Sequence, residues 1–168
     1  MDEIRNRVAE STSLVVFDLE DYFPPAGVME FDLAPLIVDG VMRESVCRDF
    51  FKSINPGEYR DKVIAFYCSV DAILPQWIWP MASSSIAKEA LYITAGRNSD
   101  ALQAYYSQRL AGMNWADFAD KKVLLKGCGQ YPVPDSAYVQ AAMHLSLSAQ
   151  KLMYGEACSN VLIHLNKK

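Results

Sequence analysis

The feature that most constrains the fold is a pattern that occurs twice. Asn55-Pro56-Gly57-Glu58-Tyr59-Arg60-Asp61-Lys62 and Asn114-Trp115-Ala116-Asp117-Phe118-Ala119-Asp120-Lys121 both give N-x-x-x-aromatic-x-D-K. An apolar run follows each, Val63-Ile64-Ala65-Phe66-Tyr67 in the first copy and Val123-Leu124-Leu125 in the second. Then comes a cysteine, Cys68 or Cys128. With compensating single-residue shifts, Pro75 falls on Pro134 and Gly96 on Gly155. Self-similarity of this kind predicts two units of one design, approximately 36–96 and 100–155.

Both units predict the same succession of elements. A helix comes first, over 36–51 in one unit and 100–110 in the other. In the first, Met42, Val46, Phe50 and Cys47, Phe51, Ile54 recur at the three-to-four spacing of a buried stripe. The β-branched and apolar run that follows reads as an interior strand. A cysteine-bearing loop leads to a Pro suited to the first turn of a helix. That helix is expected to end near Lys88 or Lys151, ahead of Leu91-Tyr92-Ile93-Thr94 or Leu152-Met153-Tyr154 and a Gly. Pro80 cannot lie in the interior of a helix begun at Pro75, so that helix either starts nearer Trp77 or kinks.

Leu14-Val15-Val16-Phe17-Asp18-Leu19, Val28-Met29-Glu30-Phe31-Asp32-Leu33 and Asn160-Val161-Leu162-Ile163-His164-Leu165 read as further strands. Asp21 to Gly27 is turn chemistry. Strands alternating with helices predict an α/β fold, layered, with a largely parallel central sheet flanked by helices and built from two similar repeat units. At 168 residues, one domain over 1–168 is expected, since single cores run to about 100–200 residues.

Composition narrows the function by exclusion. Lys plus Arg number 16 against 20 Asp plus Glu, a formal charge of −4. No basic excess argues for nucleic acid or for an anionic membrane surface. The opening Met1-Asp2-Glu3-Ile4-Arg5 lacks the charged and apolar regions of a signal peptide, and no apolar run approaches the roughly 18–20 residues that span a bilayer. The cytoplasm is the expected compartment, where thiols stay reduced. A homodimer is the base-rate expectation for a partner, and a small-molecule ligand is left open.

Four cysteines without a C-x-x-C pair exclude the common zinc-finger and thioredoxin patterns. Cys47 lies on the apolar helical stripe and reads as packing. Cys68 and Cys128 follow strands, where open α/β sheets bind ligands, and Cys158 lies in Gly155-Glu156-Ala157-Cys158-Ser159. If these three loops meet at one end of the sheet, their thiolates suit zinc. The expected metal ligands are Cys68, Cys128 and Cys158, with Asp71 as the fourth. Glu156 and Asp135 are weaker candidates. His144 and His164 fit poorly, one about three turns into a helix and the other far down a strand. Opposing this, free cysteine is among the most buried residue types, and Asp71 or Asp135 can equally serve as a cap.

Other motifs are absent: no phosphate loop, dinucleotide fingerprint, H-E-x-x-H or G-x-S-x-G occurs. Ser85-Ile86-Ala87-Lys88 matches S-x-x-K without its companion motifs. Trp77, Trp79 and Tyr138 read as core or pocket wall, and Asp18, Glu20 and Asp21 as an acidic cluster that either joins a site or, the favoured reading, is a solvated strand end. Three functions therefore compete. The leading one is a zinc protein, with an open coordination position if it is a metal-dependent enzyme. A thiol enzyme or redox sensor centred on Cys128, between Gly127 and Gly129, is the second. The third is a non-catalytic interaction protein with structural cysteines. The residues leave open whether the chain is an enzyme.

Three blocks carry a resemblance: Phe17-Asp18-Leu19-Glu20-Asp21-Tyr22, Lys126-Gly127-Cys128 through Pro132-Val133-Pro134-Asp135-Ser136-Ala137-Tyr138-Val139, and Met153-Tyr154-Gly155-Glu156-Ala157-Cys158-Ser159. With Cys68-Ser69-Val70-Asp71-Ala72-Ile73, they make the chain resemble the bacterial domain-of-unknown-function family 2480 over nearly its whole length. The resemblance implies a stand-alone cytoplasmic protein and no particular activity. Cys68, Cys128 and Cys158 fall in its characteristic blocks and Cys47 does not. Pro80 departs from its pattern.

Overall fold

Both apolar runs that follow the D-K pairs are interior strands with parallel neighbours on either side in the computed structural model, which describes residues 14–166. By their contacts, the described residues group into two compact units: Phe23–Tyr106, and 14–22 with 107–166. The fold is mixed α/β with largely parallel strands. Where one central sheet was expected, the strands form a three-stranded sheet, a four-stranded sheet and a two-stranded hairpin. No helix among the described residues is long and apolar enough to cross a membrane.

In the contiguous unit, β2 (Val28–Asp32) pairs with β5 (Val63–Tyr67), and β5 with β6 (Tyr92–Ala95), all parallel. Val63, Ile64, Ala65 and Phe66 are buried, the near-continuous apolar strand that a sheet covered on both faces requires. Phe31 of β2 is the hub of an aromatic cluster, 5.1 Å from Phe66 and 6.0 Å from Phe51 between ring centroids. On this cluster pack Cys47 and Phe51 of α1 (Glu44–Ser53), one turn apart, and Ile78, Ala82 and Ile86 of α2 (Ile78–Ile86), at i, i+4 and i+8. The last helix, α3 (Asn98–Ala111), carries the chain onward.

The helix expected over 36–51 begins late. A 3₁₀ turn, Ala34–Leu36, and a hairpin of β3 (Ile37–Val38) and β4 (Val41–Met42) occupy its first half. Asp39 and Gly40 make the hairpin turn at φ 53° and 73°, the Asp-Gly chemistry of a two-residue hairpin loop. Met42 therefore belongs to a strand, and Val46 and Phe50 face outward. The helix after Pro75 starts at Ile78 with Trp77 as its cap, which places Pro80 in the first turn. There its missing N–H breaks no intrahelical bond.

The second unit has strand order β1 (Leu14–Asp18), β7 (Lys122–Lys126), β8 (Lys151–Glu156), β9 (Ser159–Leu165). The first three run parallel, and β9 returns antiparallel to β8. Phe17 anchors its core, 5.4 Å from Phe118 and 5.6 Å from Trp115. Helix α4 (Asp135–Ser148) buries Ala137, Ala141 and Leu145. It ends before Lys151, which opens β8 instead of closing the helix.

Candidate functional site around Cys128

The site grows from the carboxyl end of β7, the position where open parallel sheets present their ligand loops. Asp18, paired in register with Lys126, ends β1 and accepts the amide of Glu20 at 3.0 Å through Oδ1. That bond fixes the 3₁₀ turn Leu19–Tyr22. Glu20 then reaches across to the loop after β7. Its carboxylate accepts the amides of Gly129 and Gln130, the latter at 2.9 Å. The Gln130 amide first, then those of Gly129 and Tyr131 and the charge of Lys126, hold its pKa below the usual carboxylate range against a smaller opposing effect of desolvation.

Gly127 lets this loop pass. Its φ is 156°, and a Cβ there would lie 2.9 Å from the Tyr138 hydroxyl oxygen and 3.0 Å from Leu19 Cβ. Cys128 follows, exposed. The neighbouring Cys128 side chain pushes the Tyr154 pKa up, with burial adding to the shift. Tyr138 meets Tyr154 edge-on, 6.0 Å between centroids. Burial above all, then Tyr154, Cys128, Glu20 and Asp18, raises the Tyr138 phenol to about 12.

Asp18, Glu20, Lys126, Gly127, Cys128, Gly129, Gln130 and Glu156 line an open cleft of about 460 Å³. Lys126 Nζ lies 2.9 Å from Glu156 Oε1, and this partner raises its pKa. Three carboxylates thus face one ammonium that is already paired. Behind the cleft, the rings of Tyr138 and Tyr154 join Leu125, Ala142 and Ile163 around an apolar hollow of about 270 Å³. The two tyrosines form a partition, rings toward the hollow and hydroxyls toward the Cys128 loop.

The other expected ligands are distributed as follows. Cys68, half-buried, follows β5, and Asp71 is exposed in the next loop, both in the contiguous unit. Asp32 at the end of β2 accepts the amide of Ser69 at 3.0 Å and that of Ala34 at 2.9 Å. Desolvation works against its charge, but these bonds, the Ser69 hydroxyl and Arg97 together hold its pKa low. The Arg97 guanidinium covers the Tyr67 ring at 3.7 Å and pairs with Glu30 at 3.0 Å. Cys158 belongs to the same unit as Cys128 but occupies the exposed turn between β8 and β9, and it does not line the cleft. Among the described residues, no group of three or more His, Cys, Asp or Glu side chains is disposed to hold a metal ion.

Cys47 is fully buried, and burial pushes its thiol pKa up. The histidines have structural partners: His144 stacks on Trp115 at 4.8 Å and 9°, and His164 lies 3.0 Å from the Asn166 side-chain oxygen. Of the Asp18, Glu20 and Asp21 cluster, Asp18 and Glu20 line the cleft where a solvated strand end was the favoured reading, and Tyr138 is the pocket wall expected of it, whereas Tyr154 has no counterpart among the expected site residues. The available signal was a D-x-E step closing one strand and G-C-G closing another, two carboxylates and a glycine-flanked thiol at corresponding ends.

The family model described as a protein of unknown function (DUF2480) matches residues 2–166, and the chain belongs to that family. No significant match is found among curated proteins or solved structures.

Proposed function

We propose that the chain uses Cys128 as a nucleophilic thiol, in an enzyme or a redox sensor. The observation that carries this reading is an exposed thiol between two glycines, lining an open cleft at the carboxyl end of a parallel strand. In this reading the neighbouring Tyr154 phenol donates to the sulfur when it is charged, orienting the nucleophile and meeting that charge. Glycines on either side leave the sulfur open to a substrate atom. Three carboxylates around one paired lysine favour a neutral or cationic electrophile over an anionic one.

Alkylation with iodoacetamide at neutral pH, followed by peptide mass spectrometry, tests the reading. Cys128 should react several-fold faster than Cys158, which is also exposed but outside the cleft, and Tyr154→Phe should remove much of the difference. Equal rates at the two cysteines would sink the thiol reading. One zinc ion per untagged chain, lost in Cys128→Ser, would replace it with the metal reading.

We also infer that the units descend from one ancestor. In support, each has three successive parallel strands with β5 or β7 in the middle. Asp61 and Asp120 of the two D-K pairs both take left-handed φ, 58° and 59°. Asp32 at the end of β2 and Glu20 just past the end of β1 each accept the amide of the residue after the cysteine. An experimental structure in which Cys68 does not fall near Cys128 when the two parallel sheets are superposed would overturn this.

A further inference from the structure

Two strand ends in this molecule carry the same three residues. Phe17-Asp18-Leu19 closes β1 and Phe31-Asp32-Leu33 closes β2. In both, the leucine is fully buried. In both, the aspartate Oδ1 accepts the amide two residues on, from Glu20 at 3.0 Å or from Ala34 at 2.9 Å. Their second duties differ. Asp32 also holds the loop after Cys68, through the Ser69 amide at 3.0 Å. After Asp18 the chain has Glu20 where Ala34 follows Asp32. This longer carboxylate, and not Asp18, takes the amides of the loop after Cys128.

The transfer leaves one carboxylate of the thiol cleft uncommitted. Glu20 is engaged by the loop amides, and Glu156 by Lys126 Nζ at 2.9 Å. Lys126 lies in register with Asp18 and feels its charge, but its bonded partner is Glu156. Among the described residues, Asp18 keeps a single hydrogen bond, at Oδ1, so Oδ2 is open to a donor. Asp18 is half-buried and lines the same cleft of about 460 Å³ as Cys128. A partly desolvated carboxylate with an unused oxygen costs the fold free energy, and a donor on a ligand offsets that cost.

We propose that Asp18 is the specificity-determining residue of this cleft, receiving an ammonium or guanidinium group carried by the electrophile that Cys128 attacks. The assignment rests on the thiol reading of Cys128. A cationic N–H donating to Oδ2 makes a charge-assisted bond, about twice as strong as a neutral one. Three carboxylates against one ammonium leave the cleft negative, so its field draws the same group in and turns anions away. The volume suits a small molecule.

Methanethiosulfonate reagents test this, because each forms a mixed disulfide with a cysteine thiolate and releases methanesulfinate, whatever charge its side group carries. Rates at Cys128 and Cys158 are read by peptide mass spectrometry for the trimethylammonioethyl, sulfonatoethyl and methyl reagents. The cationic-to-anionic ratio at Cys128 should exceed that at Cys158 by roughly tenfold. Asp18→Asn, which keeps an oxygen for the Glu20 amide, should remove most of that excess. Asp21→Asn, exposed and outside the cleft, should leave it within about twofold, since salt screens an outlying charge. Equal ratios at the two cysteines in the wild type overturn the proposal without recourse to a variant. So does an excess that Asp18→Asn leaves intact, or that Asp21→Asn lowers as far. The neutral methyl reagent separates the two readings. A fast neutral reaction at Cys128 without charge preference overturns the role of Asp18 alone. A charge preference with a neutral rate no faster than at Cys158 upholds Asp18 and counts against the activated thiol.

Discussion

Glu20 and Gly129 stand 109 positions apart in the chain, and the carboxylate of one accepts the amide of the other. Gln130 donates to the second oxygen. Replacing Glu20 with Gln removes the charge from this clamp and should speed amide exchange at Gly129 and Gln130. The folded-state pKa lies below the reference 4.5, so the stabilisation is complete above that value and is lost as pH falls through the lower folded one. NMR protection factors followed from neutral to acid pH check this. Equal protection in wild type and Glu20→Gln would refute the clamp.

Gly127→Ala should destabilise the chain by about 1–3 kcal/mol, since it combines backbone strain with overpacking. The new Cβ meets Tyr138 and Leu19 at φ 156°. Gly27→Ala is the control, at φ 76° with nothing within 4 Å. It should lose only the backbone contribution, about 1–2 kcal/mol. Urea midpoints for the two variants measure the difference, and a Gly127→Ala midpoint no lower than wild type would contradict the packing described.

The β5 strand was legible because an interior parallel strand has to be apolar on both faces, and Val63 to Phe66 satisfies that without help from the rest of the chain. Pro80 was legible too, since proline restricts a helix locally. The hairpin at Asp39-Gly40 was not, because Met42, Val46 and Phe50 happen to match helical spacing and the two-residue turn was outweighed by that periodicity. Glu20 lay beyond local reading for a different reason. A carboxylate that binds backbone amides of a distant loop leaves no pattern in side-chain types. Cys68, Cys128 and Cys158 were grouped by strand-end position, which fixes where a loop starts and not where its side chain goes.

Tyr138 gives an alkaline signature. Its phenol moves from 10.0 to about 12 in the fold, so the folded state holds its proton where the unfolded chain releases it. Stability is full below about pH 10 and falls as pH rises toward about 12. Tyr138→Phe should flatten part of that fall, the rest coming from other raised tyrosines such as Tyr59. Denaturation midpoints compared at neutral and alkaline pH test it, and an identical alkaline slope in the variant would count against it.

Cys47 should be silent to alkylating agents until the chain unfolds, because it sits at 0% exposure among Phe51, Ile78 and other core residues. Cys47→Ser buries a hydroxyl there and should cost about 1–3 kcal/mol. Thermal melts give the cost, and labelling along a urea gradient gives the reactivity. Modification of Cys47 ahead of the global transition would show that this core opens locally.

The unit around Cys128 is assembled from two separated stretches of chain, 14–22 and 107–166, with the whole of the other unit encoded between them. On the ribosome, where chains emerge amino end first, β1 is made long before its neighbour β7 exists. The intervening 23–106 can complete its own sheet during that wait. Closing β1 onto β7 then joins residues about a hundred positions apart, the kind of distant contact that slows folding. The thiol cleft therefore cannot exist on a nascent chain that has not yet released β7, whereas the other unit's sheet needs nothing beyond its own stretch.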